Sequence, residues 1–188
     1  AQGDAMKRFL EALNFAALRH REQKRKGEGG APYINHLIEV AHILSSHGLD
    51  DEILLCAAVL HDSIEDVGVT ESELRQRFGD EVTGVVVEMT DDSSVSVVIR
   101  KLRQVEMAPH LSERAQNLKV ADKISNLRGI LTSPPENWSI ERKRAYYAWS
   151  ERVVAGCHRA DRNLVRTFAD AHATGLLALT LGAVTRDG

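Results

Sequence analysis

The sequence predicts an all-α fold, one compact domain of roughly eight to ten helices. Three observations carry that reading. Apolar residues recur at spacings of three and four along most of the chain, the period of one helix face. No stretch alternates strictly between apolar and polar, as a half-buried strand would. No internal repeat or Pro/Gly/Ser-rich linker divides the 188 residues, a length that suits a single domain. With 43% hydrophobic and 27% charged residues the chain is too apolar for disorder. It can bury a core without help from disulfides or a structural metal.

The elements follow in order. Phe9, Leu10, Leu13 and Ala17 mark a first helix through about His20. Lys24 to Pro32 is a basic, Gly-rich loop. A second helix spans about Asn35 to His47 and stops at Gly48, a natural residue past a helix end. Asp50 or Asp51 caps a third, whose body, Ile53 to Leu60, is apolar all round and therefore central. Thr70-Glu71-Ser72-Glu73 reads as a capping box for a short helix to Phe78, and Gly79 separates it from another reaching Met89. Asp91 to Ser96 is a polar loop before a basic helix over 97–107, which Pro109 ends. Ser112 caps a long helix to Leu131, and Pro134-Pro135 breaks the chain again. Ser139 opens a helix to about Ala160, and the last runs from Asp161 to about Leu181. Residues 1–5, ahead of Met6, read as an expression scar and 182–188 as a flexible tail, so that 1–188 is one domain.

The formal charge is only −3, which argues against binding to long nucleic acids or to membranes. No apolar run is long enough to span a bilayer, and no signal peptide is recognisable, so the expected location is the cytoplasm. Cys56 and Cys157 lie far apart in apolar stretches and read as buried free thiols. The charge is unevenly spread. Asp50 to Asp92 holds 13 acids and two bases, whereas Lys7 to Glu28 and Glu141 to Arg166 each hold seven bases and three acids. An acidic centre between basic flanks is consistent with ordinary surface charge, and it also suits a cation held beside a polyphosphate.

His61-Asp62-Ser63-Ile64-Glu65-Asp66 follows the most apolar helix. Ionisable groups there are costly unless paired or bound to a metal. Tyr33-Ile34-Asn35-His36 places an imidazole at a helix start, and Lys119 to Asn126 places Asp122 among apolar neighbours, with Asn126 one turn on. Taken singly, each has a plainer role. His36 suits a helix start, Asp122 a salt-bridged helix acid, and Arg25 and Lys26 a solvated loop. The spacing of Trp138, Tyr146 and Trp149 also fits core packing.

Jointly, and in this order, these segments resemble the HD-domain phosphohydrolase superfamily. More closely they resemble the hydrolase module of the RelA/SpoT family. The likeness rests on Arg25-Lys26, Pro32 to His36, Ala57 to Asp66, Phe78-Gly79, Val87 to Asp92 and Lys119 to Arg128. Trp138-Ser139, Arg142, Tyr146 and Trp149 are similar to the stand-alone branch, which includes the metazoan SpoT homologue and small bacterial alarmone hydrolases. The resemblance implies an HD-domain bundle with His36, His61, Asp62 and Asp122 as ligands of a divalent metal, Mn²⁺ in this family. Two nitrogens and two carboxylates suit such an ion. It implies that Glu65 and Asp66 orient and deprotonate a water, with Asn126 beside it. It further implies that Arg25, Lys26, Tyr33, Lys119, Asn126, Arg142 and Tyr146 bind substrate. The implied reaction converts ppGpp or pppGpp to GDP or GTP and pyrophosphate, in a monomer or homodimer. Adenosine alarmones, or NADPH losing its 2′-phosphate, are the alternative substrates, and a non-catalytic nucleotide-binding module is the alternative class.

Two departures stand out. Leu37 replaces the proline that the family commonly has after its metal-binding histidine, which should shift the helix start slightly. Ser93 to Val98 is more apolar than expected, so one substrate contact should be missing. The chain has no room for the synthetase and regulatory domains of long family members, and degradation without synthesis is expected.

Overall fold

The computed structural model describes residues 2–27 and 29–184. They form α1 (Gln2–Arg19), α2 (Ile34–Ser46), α3 (Glu52–Leu60), α4 (Ser63–Val67), α5 (Glu71–Met89), α6 (Val97–Met107), α7 (Glu113–Thr132), α8 (Ile140–Ala155) and α9 (Arg162–Val184). A 3₁₀ turn at Ala108–His110 follows α6. No strand occurs among the described residues, so the fold is all-α as predicted.

Two helices organise the core. The apolar body of α3 is buried from Cys56 to Leu60 and packs against α1, α2 and α5. The long α7 packs against α2, α5, α8 and α9. Its Leu118, Val120, Ala121, Ile124 and Leu127 are fully buried, and Lys119, Asp122, Lys123 and Ser125 are buried with them. Gln116 and Asn117 of the same helix are buried too, and polar side chains so enclosed need partners.

Helix starts are held by the expected side chains. Asp51 accepts from Ile53 N–H, Thr70 from Glu73 N–H, Ser112 from Ala115 N–H and Ser139 from Arg142 N–H. The box at Thr70 is only half made, because the Glu73 carboxylate pairs with Arg19 instead. Gly79, at φ 84° and ψ 174°, kinks α5 where the sequence predicts a separation. Only glycine occupies that region without strain.

Three boundaries differ from expectation. α8 ends at Ala155 rather than near Ala160. A Cβ on Gly156 would lie 2.9 Å from that of Ala108, so the backbone runs close to the 3₁₀ turn. Just beyond, Arg159 N–H and Asp161 N–H bond to the Gln116 and Asn117 side chains, fixing the connector to α9. α9 itself continues to Val184, so 182–184 are helical rather than tail, and 185–188 lie outside the described residues. Residues 2–5, expected as a scar, form the first turn of α1, while Ala1 lies outside the described residues. Among the described residues no helix is long and apolar enough to cross a membrane.

Candidate active site

Three segments converge on one point. α2 contributes His36 from its first turn, with Leu37 fully buried in the core behind it. α3 stops at Leu60, His61 caps it, and Asp62 adopts φ −97°, ψ 3° before α4 begins. The sequence places His61 to Asp66 at the end of the apolar helix but does not show the turn before α4. Consecutive residues of an unbroken helix point about 100° apart and cannot share a cavity. The turn brings His61 Nε2 within 3.1 Å of Asp62 Oδ2. From α7, Asp122 Oδ1 lies 3.1 Å from His36 Nε2 and 3.5 Å from His61 Nε2. His36, His61 and Asp62 offer donor atoms within 4.8 Å of one another, and Asp122 closes the group against both imidazoles.

Hydrogen bonds behind the site fix which atom faces it. His61 Nδ1 lies 2.8 Å from the Ala58 carbonyl, which only accepts, so Nδ1 carries a proton and Nε2 is the ring nitrogen turned to the site. That Nε2 is buried and faces the Asp62 and Asp122 carboxylates. His36 Nδ1 lies 2.8 Å from Ser125 Oγ, whose hydroxyl donates to Glu39 Oε2 at 2.6 Å. The hydroxyl proton is thus committed to Glu39, and His36 too must donate from Nδ1 and turn Nε2 to the site. Asp122 accepts from Asn126 Nδ2 at 3.1 Å and from Lys123 Nζ at 3.2 Å. Two imidazole nitrogens facing two carboxylates fit a divalent ion of six-coordinate habit better than a thiolate-rich zinc site.

The charges are coupled accordingly. Burial raises the proton affinity of Asp62 and Asp122, but the histidines beside Asp62, and Lys123 and both histidines beside Asp122, hold them well below the usual carboxylate range. Burial alone would lower His61, yet Asp62 and Asp122 push it well above an ordinary histidine. This is a site whose anions demand a cation.

Glu65 and Asp66 project from α4 beside this group, each tethered. Glu65 Oε1 accepts from Asp91 N–H at 2.8 Å, and Asp66 Oδ2 accepts from Gln23 Nε2 at 2.9 Å. Burial raises both above ordinary carboxylates, and neighbouring acids, Asp62 among them, add to it.

Arg25, Tyr33, Asn126 and Tyr146, expected to touch substrate, lie beside the same group. Arg25 Nη1 donates to Asn126 Oδ1 at 3.2 Å, which places it one side chain from Asp122. Tyr33 donates its hydroxyl to Asp62 Oδ2 at 2.7 Å, so in this structure it orients an acid of the cluster. Lys26 and Arg142 line one cavity with the glycines of the basic loop and Trp138. The Arg142 guanidinium lies over the Trp138 ring at 4.5 Å. Tyr146 sits between Trp138 and Trp149, beside Asn126 and Lys123, so it packs and faces the site at once. Lys119 is buried in α7, its proton affinity lowered by burial and by Lys123. The loop expected to lack a contact leaves Val97 and Val98 exposed.

Several participants were not anticipated. Glu39, three residues after His36, and Ser125, between Asp122 and Asn126, occupied the right helix faces to be found. Lys123 carried the motif's charge without a role. Gln23, in a basic loop, gave no signal at all.

Comparison with known proteins agrees with this geometry. Residues 12–146 match the HD domain family. The chain belongs to it. This HD domain is 44% identical over 163 residues to the human guanosine-3′,5′-bis(diphosphate) 3′-pyrophosphohydrolase MESH1, covering 86% of this chain and 91% of the relative. It is 46% identical over 149 residues to the Danio rerio protein of that name, covering 79% and 83%. Among solved structures, one described as a metazoan ortholog of SpoT that hydrolyzes ppGpp matches with a TM-score of 0.86 and 38% identity, over 89% of this chain and 94% of the other. The HD domain thus has relatives of its own length, and the RelA/SpoT-type resemblance read from the motifs holds over nearly the whole fold.

Proposed function

We propose that this chain is a divalent-metal-dependent hydrolase, using Mn²⁺, that removes the 3′-pyrophosphate of ppGpp and pppGpp. The observation that carries this is the convergence of His36, His61, Asp62 and Asp122 on one buried point, with Arg25 reaching Asn126 beside Asp122. MESH1 relatives named for this reaction support the choice of substrate.

The four ligands would hold the ion. When bound, it supplies Lewis-acid charge at the reacting phosphate and lowers the pKa of water. Glu65 and Asp66 orient the attacking water and take its proton, the role of a carboxylate held within reach of that water. Water oxygen bonds to the phosphorus attached to the ribose 3′-oxygen. The bond from phosphorus to that oxygen breaks, pyrophosphate leaves, and the 3′-oxygen is protonated to a hydroxyl. Asn126, held between Arg25 and Asp122, positions the ribose side of the substrate. Arg25, Lys26, Lys119 and Arg142 neutralise its phosphates, and Tyr146 supplies a ring face for the base.

Purified protein with Mn²⁺, offered ppGpp, pppGpp, ppApp and NADPH separately, should release pyrophosphate from the guanosine alarmones. Glu65→Ala should keep metal and substrate binding and lose turnover by about 100-fold or more, within the range of a positioned base. Full activity in that variant contradicts the role given to Glu65.

A further inference from the structure

Behind Asp66 lies a chain of polar contacts that the reaction as described does not use. His20, just past α1, is 1% exposed, and its Nδ1 lies 2.6 Å from Gln23 Oε1. An amide oxygen only accepts, so Nδ1 carries the proton and the Gln23 amide is held one way round, its NH₂ toward Asp66. The same imidazole stacks on the Tyr33 ring at 5.4 Å between centroids and 22° between planes. The Tyr33 hydroxyl reaches Asp62, and Tyr33 N–H bonds to the Gln23 carbonyl. One buried histidine thus backs two acids of the site, Asp66 through Gln23 and Asp62 through Tyr33.

We propose that Gln23, its amide orientation set by His20, is a positioning residue that holds the Asp66 carboxylate toward the attacking water. Asp66 is at the surface edge of the site on a helix of only five residues, and rotation about its side-chain bonds would otherwise be free. Fixing a reacting group in its productive geometry is worth large factors in rate, and a displacement near 1 Å costs about 100-fold. This inference rests on the reading of Asp66 as a base.

A double-mutant cycle of Gln23→Ala and Asp66→Ala tests it, with ppGpp turnover, Mn²⁺ affinity by calorimetry and melting temperature measured for each protein. Gln23→Ala should lower kcat by about 10–100-fold, with KM and Mn²⁺ affinity within about twofold of the starting protein. In the Asp66→Ala background the same change should cost nothing further, since interacting residues are not additive. His20→Asn, whose amide can donate from the place of Nδ1, should retain more activity than His20→Phe, which keeps a stacking ring without the donor. A crystal structure of Mn²⁺-loaded Gln23→Ala should show the Asp66 carboxylate turned from its present position. An equal loss in both backgrounds, or an unmoved Asp66, overturns the positioning role. Loss in Asp66→Ala with none in Gln23→Ala overturns that role alone. Undiminished turnover in Asp66→Ala removes the base reading and the positioning role with it.

Discussion

Asp122 stands where α7 turns a polar face into an otherwise apolar core, 8% exposed and touching two imidazoles, a lysine and an amide. Asp122→Ala should therefore abolish tight Mn²⁺ binding in a calorimetric titration while the helix persists. Ser125→Ala breaks the link from Glu39 to His36 and should weaken Mn²⁺ by about 10–100-fold, the usual cost of losing a group that orients a metal ligand. A binding isotherm unchanged in Ser125→Ala contradicts the tautomer argument. The two cysteines have no part in this chemistry. Burial pushes both thiols up to about 11, so the native protein at pH 8 should resist thiol-labelling reagents that react fully once it is unfolded. His36, His61, Asp62 and Asp122 drew notice because charged residues beside apolar helices need a reason, and the family resemblance joined them into one set. Glu39, Ser125 and Gln23 did not, because a hydroxyl, amide or carboxylate on a helix face or loop is ordinary on any soluble surface.

Elements place these residues by where they stop as much as by where they run. The end of α3 at Leu60 and the restart at Ser63 aim His61 and Asp62 at one point, a feature hidden because both segments are helical in pattern. Close approach of α7 to the basic loop matters similarly. A Cβ on Gly129 would sit 2.9 Å from Arg25 Nη2. Gly129→Ala should leave the melting temperature equal or higher, since alanine favours a helix interior by about 1 kcal/mol. It should raise KM by displacing Arg25, and an unchanged KM would place Arg25 outside the substrate site. Gly79→Ala forces a side chain into a backbone region essentially reserved for glycine, so it should lower stability by about 1–3 kcal/mol in a denaturant titration. The end of α8 was misjudged because the connector to α9 is held by Gln116 and Asn117, contacts distant in sequence.

Across the whole molecule the uneven charge resolves into two places. Asp62, Glu65, Asp66 and Asp91 gather at the site. Asp50, Asp51, Asp80, Glu81 and Glu88 line a cleft at the other end of α3, away from the imidazoles. The acidic centre seen in the sequence is thus only partly a cation site, a distinction that needs the third dimension. The basic flanks do converge, through Arg25 and Lys26 from one and Arg142 from the other. Because the ligands come from α2, the α3–α4 turn and α7, a bound ion ties together segments distant in sequence. Mn²⁺ at 100 times its Kd should add about 2.7 kcal/mol, or about 5–10 °C in melting temperature for a chain of this size. Asp122→Ala should show no such gain. The most direct test of the central claim follows ppGpp by phosphorus NMR with the Mn²⁺-loaded protein. Resonances of GDP and free pyrophosphate should grow together, and chelation should stop them. Orthophosphate as the product, or no change in ppGpp while NADPH or ppApp is consumed, would contradict the account.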